Sequence, residues 1–390
     1  MNDAVADESL PEQASDLAMD AAVALEQMHF GAARLLAQAA LEVERRLAGA
    51  PIAVDLLPTC IIAQVLYEEG RLDDAEALLV ARLPEIRADG TLAGALRAYG
   101  LLARVAASRR QYGRALVILH EADALAGQRD WSQLRAASLA QRIELCVASG
   151  RVDEAERCLS RLAALADQQD AQHGDAACEI ERCHTVAQAR LALTRAPLAV
   201  DVASLRQLHD ETLRRRERYT SVWVALLLVE ALLVSGQRDE AVERLSELLR
   251  LAPAVGMHQT LVDCTPCVAA LMRAIVQRRV APAGDISELL SYANVLLSRR
   301  QDGTVDADDV CAARRAPAAA GLSERERLII GLMGQGLSNK QIAIQLSIAP
   351  ETVKSHAKRV YSKLSVRNRT EAVTLASRLG LFPVPRSMYA

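Results

Sequence analysis

No lysine precedes Lys340 in this 390-residue chain, and the four lysines present are Lys340, Lys354, Lys358 and Lys363. A Walker-type phosphate loop needs a lysine to reach the β- and γ-phosphates, so none lies upstream of that point. A phosphoacceptor receiver domain is disfavoured by the same absence, and by the lack of alternating buried strands. Aromatic residues are scarce at 3% although hydrophobic residues reach 51%. The apolar mass is therefore carried by Ala and Leu, strong helix formers that suit close helix packing, and a nearly all-helical chain is expected. No apolar run approaches the roughly 18 residues needed to cross a bilayer. Even Ser221 to Gly236 is interrupted by Glu230.

Nothing at the N-terminus resembles a basic, apolar secretory signal. The eight cysteines, at 60, 146, 158, 178, 183, 264, 267 and 311, are accordingly expected as reduced thiols of a cytoplasmic protein. Cys264-Thr-Pro-Cys267 has the spacing of a redox pair or half a zinc site. The adjacent Cys183 and His184 do not supply the spaced second pair that a structural zinc site wants. Structural thiols are the expectation, with redox sensing through Cys264 and Cys267 as the alternative. No Ser-His-Asp set, carboxylate pair or metal-ligand cluster can be singled out, so neither an enzyme nor a bound cofactor is expected.

Charge is unevenly distributed. From Gly321 to Ala390 eleven Lys and Arg face four Glu, which leaves the tail at +7 and the remainder of a chain of net charge -3 at -10. Such a split favours a polyanion for the tail and repels one from the rest, and so argues for two roles. Along the chain, residues 1–16 are acidic and polar enough to read as a flexible leader. Residues 17–299 form a repeat region and 300–320 a linker, marked by Gln-Asp-Gly, four aspartates and an Ala/Pro-rich run.

The repeat is visible in His29-Phe-Gly-Ala-Ala33, Gly70-Arg-Leu-Asp-Asp-Ala75, Arg110-Gln-Tyr-Gly-Arg-Ala115, Gly150-Arg-Val-Asp-Glu-Ala155 and Gly236-Gln-Arg-Asp-Glu-Ala241. The aligned alanines lie 42, 40, 40 and 86 residues apart, the last gap being two periods with a degenerate copy expected near Leu198. In each unit a helix ends near Gly and a polar turn follows. Asp or Glu then opens the next helix, where negative charge suits the dipole. The small Ala admits a close partner, and apolar residues such as Leu245, Leu248 and Leu249 follow at helical spacing. Stacked pairs bury what one pair cannot.

The tail reads as four helices. Ser323 with Glu326 and Ser338 with Gln341 form capping boxes. The first opens a stripe of Leu328, Ile329, Leu332 and Met333, and the second turns Ile342, Ala343 and Leu346 inward. Pro350 suits the first turn of a third helix, in which Val353, Ala357, Val360 and Leu364 make one apolar face. Lys354, Ser355, Lys358, Arg359 and Ser362 lie opposite, and His356 sits beside the apolar stripe as a packing residue. A fourth helix runs from Glu371 to Leu379. A short helix, a tight connection and a second helix with a basic outer face match the arrangement that sets a recognition helix in a DNA major groove.

The repeats carrying Gly70, Ala75, Gly150, Ala155, Gly236 and Ala241 resemble tetratricopeptide repeats, particularly the longer-period kind in the sensor region of the maltose-regulon activator family. The tail resembles the LuxR-type, or GerE-type, helix-turn-helix family. Leu322-Ser-Glu-Arg-Glu326, Gly336-Leu-Ser-Asn-Lys-Gln-Ile-Ala343, Thr352-Val-Lys-Ser-His356, Lys363-Leu-Ser-Val366, Asn368-Arg369 and Ala372-Val373 carry that likeness in order. The resemblance implies that Lys354, Ser355 and Lys358 face bases and that Lys340, Thr352 and Lys363 hold phosphates, with Arg359 beside them. It makes Val373, Ala376 and Leu379 a dimer contact. The family often has a hydroxyl N-cap before the proline; here Ala349 stands there, which costs helix stability by roughly 1 kcal/mol unless another group meets those N–H donors.

The expected fold is thus all-α: a tetratricopeptide-like α-solenoid of about seven helical pairs, then a four-helix DNA-binding domain at 321–390. Maltose-activator regulators carry a nucleotide-binding module that this sequence is expected to lack, and a quorum-sensing pocket would need a mixed sheet that is not legible. The expected function is a sequence-specific transcription regulator, nucleoid-associated and without membrane contact. It would act as a homodimer on double-stranded promoter DNA with RNA polymerase as a partner, under an effector held on the solenoid's concave face. The alternative is a helical-repeat adaptor whose tail does not read DNA.

Overall fold

The computed structural model describes residues 10–46, 56–169, 174–277, 287–300, 323–346, 348–363 and 368–378, and every regular element among them is helical. The repeat region contains α1 (Leu10–Glu26), α2 (Phe30–Arg46), α3 (Leu57–Glu68), α4 (Leu72–Asp89), α5 (Leu92–Ser108), α6 (Tyr112–Arg129), α7 (Ser132–Ala148) and α8 (Val152–Gln169). It continues with α9 (Asp175–Arg195), α10 (Val202–Arg214), α11 (Arg218–Val234), α12 (Arg238–Val255), the single turn α13 (Gln259–Val262), α14 (Pro266–Val276) and α15 (Ser287–Arg299). Apart from α13 these are seven antiparallel pairs, as the forty-residue period implies. Cys311 and nearly all of the expected linker lie outside the described residues.

One joint recurs inside the pairs. At Gly70 the N–H donates to the Tyr67 carbonyl (2.9 Å) and the next N–H, of Arg71, donates to Leu66 (2.9 Å). This is the two-bond motif that ends a helix on a left-handed residue. It repeats at Gly150 and Gly236 (φ +75° and +79°), and with non-glycine residues at Met28 and Arg110 (φ +65° and +59°). Four residues into the following helix stand Ala33, Ala75, Ala115, Ala155 and Ala241, each with no exposed surface. A larger side chain there would push the paired helices apart. Acidic residues open α4, α8 and α12, where the helix dipole favours them.

Two expectations need correction. Residues 10–16, read as part of a leader, are the first turns of α1. The polar residues conceal a helical row of small apolar ones, and Ala14, Ala18, Ala21 and Leu25 are buried. The degenerate joint is displaced from Leu198. A short 3-10 turn at Pro197–Ala199 precedes Asp201, whose Oδ1 accepts from the N–H groups of Ala203 and Ser204 (3.0 and 3.1 Å). Leu205 takes the alanine's place at the fourth position of α10, also fully buried.

A linear stack lets each unit touch only its neighbours. This chain instead closes on itself: one apolar core joins α1, α2 and α3 to α9 through α15, and α1 meets α11 while α3 meets α13. Polar side chains bind the seam. Glu68 is wholly buried; its carboxylate accepts from Tyr219 Oη (2.5 Å), from the Thr260 N–H (3.2 Å) and from Thr260 Oγ1. Gln64 Nε2 donates to Tyr219 Oη (2.7 Å). Nearby, Asp263 accepts from Tyr67 Oη (2.7 Å), Gln259 Nε2 (2.9 Å) and Ser108 Oγ. Burial raises both carboxyls above their ordinary range. The first helices of successive pairs line a concave cavity of about 1140 Å³ inside this closed superhelix.

Candidate nucleic-acid interface

The C-terminal unit is α16 (Glu324–Gly334), α17 (Asn339–Gln345), α18 (Pro350–Lys363) and α19 (Arg369–Arg378). Both capping boxes form. Ser323 Oγ accepts from the Glu326 N–H while the Glu326 carboxylate accepts from the Ser323 N–H (2.7 Å). Gln341 answers Ser338 in the same way (2.8 Å). Gly336, at φ +84°, ends α16 with the same two-bond joint used in the repeats. Ile329, Ile330, Leu332, Met333, Ile342, Ala343, Val353, Ala357, Val360, Ala372 and Ala376 form the core, with Leu346 packed at its edge. Leu328, expected inside, is 50% exposed, and Ile330 is buried in its stead. The inward face of α16 is rotated by about one residue from the stripe read in the sequence.

The third helix divides by face. Val353, Ala357 and Val360 are buried, which turns Thr352, Lys354, Ser355, Lys358 and Arg359 to solvent. Lys354 and Lys358, four residues apart, are stacked on one face. Lys340, at the start of α17, is exposed as well. Lys363 lies in the last turn of α18, while Leu364 falls outside the described residues. His356 is half-buried beside the core face. Ala349 has no side-chain acceptor for the first turn; its carbonyl accepts from the N–H groups of Thr352 (2.9 Å) and Val353 (3.2 Å).

Three side chains shape this surface in roles not expected of them. Glu351 Oε1 holds Lys354 Nζ at 2.8 Å, both groups being well exposed; the three-residue spacing is the signal that announces such a pair. Arg369 Nη2 donates to the carbonyls of Met333 (3.1 Å) and Leu337 (2.6 Å), tying α19 to the turn between α16 and α17. Arg325 Nη2 donates to the Leu346 carbonyl (2.9 Å) at the end of α17. Two of the tail's cations therefore brace the fold, and because their partners are backbone carbonyls the motifs that contain them do not reveal that role.

The expected dimer contact is altered. Ala376 points into the domain's own core with no exposed surface, so its side chain is unavailable to a second copy. Val373 is half-buried at the core margin, and Leu379 lies outside the described residues.

Elsewhere, several of the thiols are buried. Cys264 and Cys267 are buried at the start of α14, and burial pushes the Cys146 thiol up to about 11 and the Cys183 thiol up to about 12. Thiols held protonated in this way are poor nucleophiles. Among the described residues no cluster of three His, Cys, Asp or Glu is arranged to hold a metal ion, and no helix is long and apolar enough to cross a membrane.

Comparison with known proteins places both units. Residues 3–278 match the MalT-like TPR region, and residues 320–376 match GerE, the luxR family of bacterial regulatory proteins. The HTH-type transcriptional regulator MalT of Vibrio campbellii is 25% identical over 336 residues, 82% of this chain and 35% of that protein. MalT of Vibrio cholerae is 29% identical over 168 residues, 39% of this chain and 18% of that protein. The DNA-binding transcriptional activator DevR/DosR of Mycobacterium tuberculosis is 40% identical over 68 residues, 17% of this chain and 31% of that protein. The chain thus spans about a third or less of each of these relatives. The long match over the repeats and the ordered match over the tail agree with the geometry of each unit, and the chain belongs to the family built on the MalT-like TPR region, with a C-terminal domain of the LuxR family.

Proposed function

We propose that this chain is a sequence-specific DNA-binding transcription regulator, and not an enzyme, in which α18 enters the major groove. The observation that carries the reading is the division of α18 into a buried apolar face and an exposed face bearing Thr352, Lys354, Ser355, Lys358 and Arg359. Lys354 and Lys358 reach base edges, where lysine donates to guanine acceptors, and Ser355 lets the backbone approach. Lys340, Thr352, Arg359 and Lys363 hold phosphates and set the register. The ion pair to Glu351 is too exposed to compete, since such pairs contribute about 1 kcal/mol or less.

The protein acts as a homodimer on paired half-sites, which multiplies the affinity of two small basic domains. Val373 and Leu379 contribute to the contact, Ala376 only by supporting α19 from within. RNA polymerase is the partner at the promoter, and the location is the cytoplasm, on the nucleoid. The closed repeat domain receives an effector in its cavity and governs the DNA domain. Genome-wide occupancy, combined with transcript levels after deletion of the gene, tests the reading. Discrete promoter sites whose transcripts change are expected; occupancy without sequence preference would contradict it.

A further inference from the structure

The repeat domain is acidic, yet its cavity is not. Six arginines and four carboxylates line it, so the concave side is the positive part of a unit that sequence charge places at -10 with the leader and linker. Several of these arginines are already engaged. Arg190 pairs with Glu230 (3.0 Å) and Glu144 (3.4 Å), Arg109 with Asp73 and Glu76, and Arg300 donates to the Cys264 carbonyl (2.7 Å).

Arg104, on α5, is different. Its guanidinium lies over the rings of Trp223 and Tyr67, 5.0 and 5.5 Å from their centroids, and Nη2 donates to Gln64 Oε1 (3.1 Å). Among the described residues no carboxylate stands within ion-pair distance of it. Its Nε is buried without a hydrogen-bond partner, as are Gln141 Oε1 and Thr265 Oγ1, which belong to residues that line the same cavity. Tyr219 also meets the guanidinium and Glu68 attracts it from beyond pairing distance, but the carboxyls of Glu68 and Asp263 are each held by three donors of their own. Aromatic rings stabilise a cation without neutralising it. A desolvated guanidinium with unused donors is costly unless an anion completes it, and its planar fork suits an oxyanion taken by two parallel hydrogen bonds.

We propose that the concave cavity is a binding site for a small organic anion, a carboxylate or phosphate ester. Its oxyanion is held by Arg104 beside Trp223 and Tyr67, and its other polar groups meet Gln141 and Thr265. A cavity of about 1140 Å³ accommodates a metabolite rather than a bare ion. The binding stands on the geometry alone; only its regulatory consequence rests on the effector role given above.

Trp223 provides the readout, since Trp131 is the sole other tryptophan and Trp131→Phe isolates it. The full-length Trp131→Phe protein is titrated with citrate, glycerol 3-phosphate and, as the neutral counterpart, glycerol, following Trp223 emission and the melting temperature. At least one anion is expected to change the emission and raise the melting temperature with an affinity at least tenfold above that of glycerol, weakening as salt is added. Citrate against glycerol 3-phosphate separates carboxylate from phosphate recognition. Arg104→Gln should lose at least tenfold of that affinity, Arg104→Lys should retain part of it, and Arg109→Gln, whose arginine is already paired, should bind within twofold of the parent. Equal response to glycerol and both anions, or undiminished anion binding by a folded Arg104→Gln protein, overturns the site. An anion that binds through Arg104 yet leaves DNA affinity unchanged leaves the site standing and removes its regulatory role.

Discussion

At the seam of the repeat domain and on the outer face of α18, polar side chains are used in opposite ways. Glu68 is buried and its carboxylate is filled by three donors from α11 and α13, whereas Lys354, Lys358 and Arg359 stand in solvent, Lys354 paired only with the exposed Glu351 among the described residues (2.8 Å). Buried polar groups must be satisfied within the fold, because each unmet donor or acceptor costs about 1–3 kcal/mol. Exposed charges hold little folding energy and remain available to a partner. Substitutions in the first region should therefore act on stability and those in the second on binding, and each of the following can break that division.

The largest effect is expected from Glu68→Ala, which strands the Tyr219 hydroxyl and both Thr260 donors. A loss of about 3 kcal/mol should appear in denaturant unfolding of the full chain, with DNA affinity per folded molecule unchanged. Glu68→Gln should cost less and should alter the pH dependence. Burial raises the native carboxyl above the ordinary glutamate value of 4.5, so the folded state binds its proton more tightly than the unfolded state. The stability of the parent relative to Glu68→Gln should accordingly be greatest below that value and decline as pH rises through the native one. A rise over that window would show that Glu68 is stabilised as the anion.

Next in size is Lys354→Ala with Lys358→Ala, for which about 2 kcal/mol of specific DNA affinity should be lost while the unfolding midpoint moves little. Smaller again are the helix joints. Gly150→Ala meets no atom within 4 Å but must adopt φ +75°, so it should cost about 1 kcal/mol. Arg110→Gly, relieving a non-glycine residue at φ +59°, should stabilise by less than that. The smallest effect belongs to Glu351→Ala. Stability should change by only a few tenths of a kcal/mol, and loss of a negative charge beside the phosphates should tighten DNA binding slightly at low salt; weaker binding would show that Glu351 itself contacts DNA.

The same contrast explains what the sequence discloses. Local devices are legible: the joints before Ala75, Ala155 and Ala241, the capping boxes of Ser323 and Ser338, and the apolar face of Val353, Ala357 and Val360 depend on residues within a few positions of one another. Closure of the superhelix is not, because Glu68 is separated from Tyr219 and Thr260 by 151 and 192 positions and no single one of them is unusual in a helix. Arg369 stands in a legible motif, but its role escapes notice for a related reason, its partners being the carbonyls of Met333 and Leu337. Ala376 misleads because an alanine at helical spacing fits a core and a contact surface equally well, and burial decides between them. Arg104 is hidden among many arginines until the fold sets it over the rings of Trp223 and Tyr67.

The central claim is that the exposed face of α18 reads bases. The 390-residue chain and its Lys354→Ala, Lys358→Ala variant should be compared by mobility shift on a bound promoter fragment and on a scrambled duplex, over a salt series. The account predicts that the variant loses most of the preference for the promoter fragment and shows a shallower salt slope while remaining folded. A folded variant that still prefers the promoter fragment as strongly as the parent would contradict it.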